Sequence, residues 1–310
     1  MRILRSIADL ATLPGPVVLA AGTFDGLHLG HQALIARVQA EAASVGGTPV
    51  VMTFDRHPAS LIRPERAPKL LTPQPAKLAL LEQLGVPVVL LLEFNEELAS
   101  HPAEEFIRAL AASAQPLRMI CVGSQWSFGR GGAGNITLLE HLGKELGFSV
   151  GRLAPVELEG KPISSTRIRH AIASGDFAEA EACLGRPFLL SGSVVTGAGL
   201  GKKLGFPTAN LDVDGMQLPP DGVYAVRVHE GGRCFAGVAN LGVRPTVEAA
   251  LHRTAEVHLF DHSEHLVGKE LSLEFVKHLR GEQKFPDLTA LTAQIARDCE
   301  QARELLRARP

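Results

Sequence analysis

Val17-Val18-Leu19-Ala20-Ala21-Gly22-Thr23-Phe24-Asp25-Gly26-Leu27-His28-Leu29-Gly30-His31 is the stretch on which the fold turns. Its five consecutive apolar residues, Val17 to Ala21, read as a strand. Glycines and an aspartate then break the run, and the two histidines open a helix. At the carboxyl edge of a parallel strand the following helix points its first amides and the positive end of its dipole outward, so an anion there meets oriented donors. Gly22, Phe24 and Asp25 in the turn are expected to bind the nucleotide and its phosphates, and His28 and His31, three apart across the first helical turn, can reach one phosphate. Gly30 between them removes a side chain where a nucleotide approaches the backbone. These residue types suit attack on an α-phosphate, where spreading negative charge is stabilised by imidazole donors. Two structural histidines at a helix start are the plain alternative. A metal pair is a further one, but it lacks an adjacent third ligand.

Outward from this stretch, apolar runs at residues 49–54, 86–92 and 119–123 alternate with amphipathic segments, which implies a parallel α/β sheet. Residues 102–112 place Phe106, Ile107 and Leu110 on one helical face, a core-packing pattern without chemistry. Helical patterns follow Ser165 and span residues 176–184, until Gly185-Arg186-Pro187 breaks the periodicity. The expected domains are therefore residues 1–186, an α/β domain with a parallel, Rossmann-like sheet, and residues 187–310. In the second, five β-type runs (191–196, 222–229, 234–241, 255–260 and 271–276) with no helix between them argue a small antiparallel barrel or sandwich. A helix over residues 288–306 closes it.

The 310 residues are 45% hydrophobic and 21% charged, enough for real cores, and 31 basic against 33 acidic side chains leave a net charge of -2. No electrostatic footprint for nucleic acid or an anionic membrane exists in that balance. One Trp and one Tyr provide few stacking platforms for single strands. The longest apolar run, residues 86–92, is far short of a membrane span, and Asp9, Pro14 and Pro16 interrupt any signal-like region, so the cytoplasm is the expected compartment. Cys121, Cys183, Cys234 and Cys299 are too dispersed for a thiolate metal cluster or a redox pair and read as small buried residues.

Two more segments carry chemistry. In Ile163-Ser164-Ser165-Thr166-Arg167-Ile168-Arg169 the hydroxyls and amides of a helix start, with Arg167 or Arg169, suit phosphate oxygens; taken alone, Ser164, Ser165 and Thr166 read as a helix cap. Gly197-Ala198-Gly199-Leu200-Gly201-Lys202-Lys203-Leu204-Gly205-Phe206-Pro207-Thr208-Ala209-Asn210 is a glycine-rich loop in which Gly199, Gly201, Lys203 and Gly205 can wrap phosphates. It lacks the Gly-Lys-Ser/Thr ending of a P-loop, and a plain hairpin connection is the alternative. In extended geometry Thr208 and Asn210 face the same way, so both oxygens could converge on a magnesium ion otherwise held by phosphates and water.

Residues 22–31 resemble the H-x-G-H nucleotidyltransferase signature, and residues 163–169 are similar to that family's second phosphate motif. The second half resembles the riboflavin kinase module, through Pro207-Thr208-Ala209-Asn210, Asp221-Gly222-Val223-Tyr224-Ala225, Gly237-Val238-Ala239-Asn240-Leu241-Gly242-Val243-Arg244-Pro245-Thr246, Ala255-Glu256-Val257-His258-Leu259 and Arg280-Gly281-Glu282-Gln283-Lys284-Phe285. Nearly the whole chain is thus similar to the prokaryotic bifunctional riboflavin kinase and FMN adenylyltransferase family, also called FAD synthetase. The resemblance implies that the first domain adenylylates FMN to FAD and that the second, a Greek-key barrel, phosphorylates riboflavin to FMN. ATP and Mg2+ are implied for both steps. Riboflavin, FMN and ATP are the expected small-molecule partners, nucleic acid and membrane are not, and a homo-oligomer is allowed. Glu256 matches the family's general base, which takes the proton from a primary alcohol; Trp126 and Phe128 match the flavin wall.

Three departures touch pocket edges or turns: Gln125 and Asn135 stand where the family usually has Asp, and His265-Leu266-Val267-Gly268 replaces Asp-Leu-Tyr-Gly. His252, His258, His262 and His265 read as solvated hairpin residues rather than metal ligands. Two other functions compete: adenylylation of a different phosphate ester, and a flavin-binding regulator without turnover. The intact His28, His31, Thr208, Asn210 and Glu256 argue against the second.

Overall fold

The computed structural model describes residues 1–124, 126–197, 199–245 and 251–307; Gln125, Ala198 and Thr246 lie outside them. The chain divides into two compact units, Met1–Leu70 with Gln74–Ser165, and Leu71–Pro73 with Thr166–Pro310. The division falls between Ser165 and Thr166, ahead of the glycine-proline break at Arg186, so the helical residues in between group with the second unit.

In the first unit the elements run β1 (Arg2–Leu4), β2 (Val17–Ala21), α1 (Leu29–Ser44), β3 (Thr48–Phe54), α2 (Ala59–Ile62), α3 (Gln74–Gln83) and β4 (Val88–Leu92). They continue as α4 (Glu96–Ser100), α5 (Ala103–Ser113), β5 (Leu117–Gly123), α6 (Ile136–Leu146), β6 (Ser149–Leu153) and a small hairpin of β7 (Glu157–Leu158) and β8 (Lys161–Pro162). Strands order as β1-β4-β3-β2-β5-β6, all pairs parallel. Alternate residues of β2 feed opposite cores. Val17, Leu19 and Ala21 pack with Phe106, Ile107 and Leu110 of α5 and Leu139 and Leu142 of α6. Val18 and Ala20 pack with Leu34, Ile35 and Val38 of α1 and Leu81 of α3. Sheet order reverses between β2 and β5, and at such a switch point the chain leaves adjacent strands in opposite directions and opens a crevice at their carboxyl ends. The edge strands β1 and β6 escape the sequence pattern, because Arg2-Ile3-Leu4 is too short and Ser149-Val150-Gly151-Arg152-Leu153 buries one residue of its five.

The second unit begins with α7 (Ser165–Ser174, whose first residue belongs to the first unit) and α8 (Phe177–Leu184). Asp176 caps α8 through Glu179 N, and Gly185 ends it at φ 72°. Six antiparallel strands then close a barrel in the order β10-β13-β12-β11-β14-β9: β9 (Leu189–Val195), β10 (Ala209–Leu211), β11 (Gly222–Glu230), β12 (Arg233–Pro245), β13 (Leu251–Leu259) and β14 (Glu270–Arg280). The expected barrel is present with one more strand than the five runs suggested. A single helical turn, α9 (Leu200–Lys203), also interrupts a stretch read as free of helix. Tyr224, Ala239, Val257 and Ala209 pair across four strands as one buried row. On the opposite face Val223, Ala225 and Val238 pack beneath Cys299 and Ala302 of α10 (Leu288–Arg307). His258 and His262 are half-buried: His258 lies edge-on to Phe206 and Phe260, and His262 edge-on to Phe235. Among the described residues no group of three or more His, Cys, Asp or Glu could hold a metal ion.

Candidate active sites

The turn after β2 leaves the sheet at the switch point in a tight coil. Phe24, Gly26 and Leu27 take φ of 52°, 85° and 43°, a left-handed conformation that costs non-glycine residues free energy and persists when the surroundings hold it. Phe24 and Leu27 are fully buried. Phe24 therefore contributes core packing to the turn, and its ring tilts against His31 at 5.1 Å. Gly22 lies under the same ring, where a Cβ would approach it to 3.3 Å. Asp25 is buried, and its carbonyl accepts from Ser165 Oγ at 2.9 Å, which brings Ser165 to the histidine turn.

His28 caps α1: its Nδ1 accepts from the His31 amide at 3.3 Å. A neutral imidazole that accepts at Nδ1 carries its proton on Nε2, so His28 presents a donor on its far edge. The His31 ring stacks on it, 3.7 Å between centroids, with Nδ1 buried and without a hydrogen-bond partner. Burial, then the neighbouring His28 and Lys77, hold the His31 imidazole well below the usual histidine range, so it is neutral at pH 7. Gly30 also has a role in the cap. A Cβ there would sit 3.1 Å from Cε1 and 3.2 Å from Nδ1 of His28, so the glycine makes room for the cap itself.

The loop after β5 flanks the other side of the switch point. Trp126 stacks on Phe128 with centroids 4.4 Å apart, and Phe128 bridges Gly134 through paired backbone hydrogen bonds. Asn135 caps α6 by accepting from Leu138 N at 3.0 Å, a role that Asn and Asp fill equally well. Sequence reasoning missed Lys77 of α3. It is 7% exposed and donates to Phe54 O at 2.8 Å, Thr53 Oγ1 at 3.2 Å and Thr23 O at 3.4 Å. The available signal was a lysine four residues before the buried Leu81, on the apolar face of its helix. Thr166, Arg167 and Arg169 fall in the second unit, where Arg167 Nε donates to Glu179 Oε1 at 2.5 Å.

In the barrel, Asn210, Glu256 and Asn240 stand directly opposite one another on β10, β13 and β12. Side chains of directly paired residues share a face. The rows on either side of them are buried, so this polar row lies on the outer face. Thr208, two residues before Asn210, directs Oγ1 to Glu256 Oε2 at 3.5 Å. The glycine loop folds over this row: the space a Cβ would fill at Gly197 holds the Asn210 carboxamide, and that at Gly201 holds the Phe206 carbonyl beside Thr208. Gly199 and Gly205 are left-handed at φ 70° and 89°. His258 Nδ1 meets Pro207 O at 2.8 Å, fastening the loop to the strand that bears Glu256. Lys203 is exposed. A hydroxyl and a carboxamide oxygen beside a carboxylate form a hard donor set, which suits magnesium with phosphate and water completing its shell. Val267 is 45% exposed, a turn residue.

A doubly wound sheet with a histidine-capped helix at its switch point, followed by a barrel bearing a carboxylate beside hydroxyl and amide oxygens, defines a two-module transferase of phosphate-containing groups. Family models place it further: FAD synthetase matches residues 11–167 and riboflavin kinase residues 184–306. The bifunctional riboflavin kinase/FMN adenylyltransferase of Escherichia coli K12 is 40% identical, covering 98% of this chain and 97% of that one. That of Pseudomonas fluorescens is 38% identical, with 98% of each covered, and that of Bacillus subtilis 35%, with 92% and 91%. The chain belongs to the bifunctional riboflavin kinase/FMN adenylyltransferase family and is an enzyme with both activities. A crystal structure described as a macrolide-efflux protein from Streptococcus pneumoniae superposes with a TM-score of 0.80 at 29% identity, covering 98% of this chain and 99% of that one. No described helix here is long and apolar enough to cross a membrane.

Proposed function

We propose that the two reactions are divided between the two sites described above, with the functional boundary at Arg186. In the barrel, Glu256 takes the proton from the ribityl 5′-hydroxyl of riboflavin as its oxygen attacks the γ-phosphorus of ATP, giving FMN and ADP. Thr208 Oγ1 and Asn210 Oδ1 would hold Mg2+, which neutralises phosphate charge there when bound. The Thr208 proton directed at Glu256 leaves the hydroxyl lone pairs outward, the arrangement a metal ligand needs. Gly199, Gly201, Lys203 and Gly205 enclose the phosphates.

In the first unit a phosphate oxygen of FMN attacks the α-phosphorus of ATP and pyrophosphate leaves. The attacking oxygen is already ionised at neutral pH, so this step requires no base. His28 donates from Nε2 to the charge that spreads over the α-phosphate, and His31, held neutral, supplies a second imidazole beside it. Ser164 and Ser165 line the phosphate side, and Trp126 and Phe128 form the flavin wall. Riboflavin, FMN and ATP are the small-molecule partners, and the cytoplasm is the place of action.

The observation that carries this reading is the in-register pairing of Asn210 with Glu256, with Thr208 3.5 Å from the same carboxylate. Separating the activities tests it. His28→Ala should lower FAD formation from supplied FMN by ~10² to 10³ and leave FMN formation intact. Glu256→Gln should lower FMN formation by ~10² to 10⁴ and leave FAD formation from FMN intact. Chromatography of the flavins reads both, and loss of both activities in either folded variant refutes the two-site assignment.

A further inference from the structure

We infer that Lys77 is a positioning residue for adenylyl transfer: its ammonium ties the carboxyl ends of β2 and β3 together beneath the turn at residues 22–28 and so sets where His28 and His31 stand. The inference rests on the functional reading above and goes beyond it. The β2–β3 ladder ends at the Ala21–Met52 pair, with one more bond from Gly22 N to Met52 O. Past that point β2 and β3 no longer pair with each other, although Thr53 and Phe54 still pair with β4. Lys77 fills the gap: its three protons go to Thr23 O on one side and to Phe54 O and Thr53 Oγ1 on the other. Thr53, fully buried, adds its own bond to Thr23 O at 3.1 Å. Two residues joined this way immediately precede the left-handed coil at Phe24 and the aspartate after Phe54.

With every proton placed on the protein, this ammonium has none for a substrate, so it acts through the turn rather than on the phosphates. Holding a charge in a buried site is costly unless its hydrogen bonds are met. Here they are met by carbonyls and a hydroxyl, while Asp25 from the turn and Asp55 from the end of β3 attract the charge and His31 on α1 lies close by. Burial pushes the Lys77 amine down to about 8. Above that pH the neutral amine retains two protons, one of the three acceptors goes unmet, and the turn loosens.

Both reactions of the full-length chain, followed between pH 6.5 and 9.5, test this, because the kinase reaction is an internal control for folding. Lys77→Met should lower kcat for FAD formation roughly 10- to 100-fold, the scale of a misplacement near 1 Å, with smaller changes in KM and an unchanged kinase rate. Wild-type FAD formation should fall above about pH 8 while FMN formation does not. Lys77→Arg, still charged there, should recover part of the rate and lose that decline. FAD formation by Lys77→Met within about twofold of wild type, or a decline that persists in Lys77→Arg, overturns the inference. If Lys77→Met loses the kinase too, Thr53→Val decides: a several-fold loss of FAD formation alone supports it, and an unchanged rate refutes it. A wild-type chain that forms FMN but no FAD overturns the functional reading itself, and this inference with it.

Discussion

Cutting the chain before Pro187, as its glycine-proline break invites, removes α8 and with it Phe177. In the second unit Phe177 lies flat on Phe275, centroids 5.1 Å apart and planes within 2°, and meets Tyr224 edge-on at 6.2 Å. Phe188 continues the stack at 6.3 Å from Phe275, and Tyr224 anchors it through a 2.6 Å bond to Pro220 O. Phe275 and Tyr224 are buried at 7% and 1% exposure. Uncovering them strips on the order of 100 Å² of apolar area of its cover, about 2.5 kcal/mol at ~25 cal/mol per Å². The lost ring geometry adds about 0.5 to 1 kcal/mol. For a domain of this size each kcal/mol moves the melting temperature by roughly 4 °C, so a fragment from residue 187 should melt about 12 °C below one from residue 166. Circular dichroism melts of the two fragments measure this, with riboflavin kinase activity as the check on folding. Phe177→Ala in the longer fragment should reproduce more than half of the deficit. Two fragments melting within about 3 °C of each other would show that the aromatic stack does not stabilise the barrel as argued.

Other outcomes follow from the same geometry. Gly30→Ala, although it favours helix, presses a methyl against the His28 ring and should lower FAD formation ~10-fold while leaving kinase activity unchanged; steady-state kinetics decide. His31 binds its proton less readily folded than unfolded, so below its ordinary value near 6.5 the unfolded chain takes up protons first. Its stabilising contribution is complete above that pH and is lost as pH falls toward the lowered value. Melts from pH 7.5 to 5 should therefore show wild type losing stability relative to His31→Gln, and parallel curves would contradict the assignment. Asp298, 3% exposed, accepts from Arg280 Nε and Nη2 and from Gln294, so Asp298→Ala strands a guanidinium and should cost about 3 kcal/mol in urea melts. Replacing Arg280 by Met in the same chain should restore most of it; no restoration would mean that the ion pair is not the cause.

Residues 17–21 read by themselves as a strand ahead of a helix, and the alternation of such apolar runs with amphipathic segments carried the parallel α/β sheet, because each run is too short to be anything but one layer of a repeated strand–helix pattern. Local chemistry likewise marked His28, His31, Thr208 and Asn210, since a capping turn and a two-residue repeat are short-range patterns. Long-range pairing was a different matter. Three residues, Ala209–Leu211, are too few to show strand periodicity, yet β9 and β13 on either side force them into the barrel and bring Asn210 opposite Glu256. At Gly30 the sequence showed only a missing side chain, and the fold shows the His28 ring beside that space. Phe24, read as part of the nucleotide site, is drawn by packing into the core. Lys77 shows the division most plainly. A lysine reads as solvent-facing because burying its charge is unfavourable, and only the tertiary structure decides otherwise, by delivering Thr23, Thr53 and Phe54 from two strands to the three protons of one side chain.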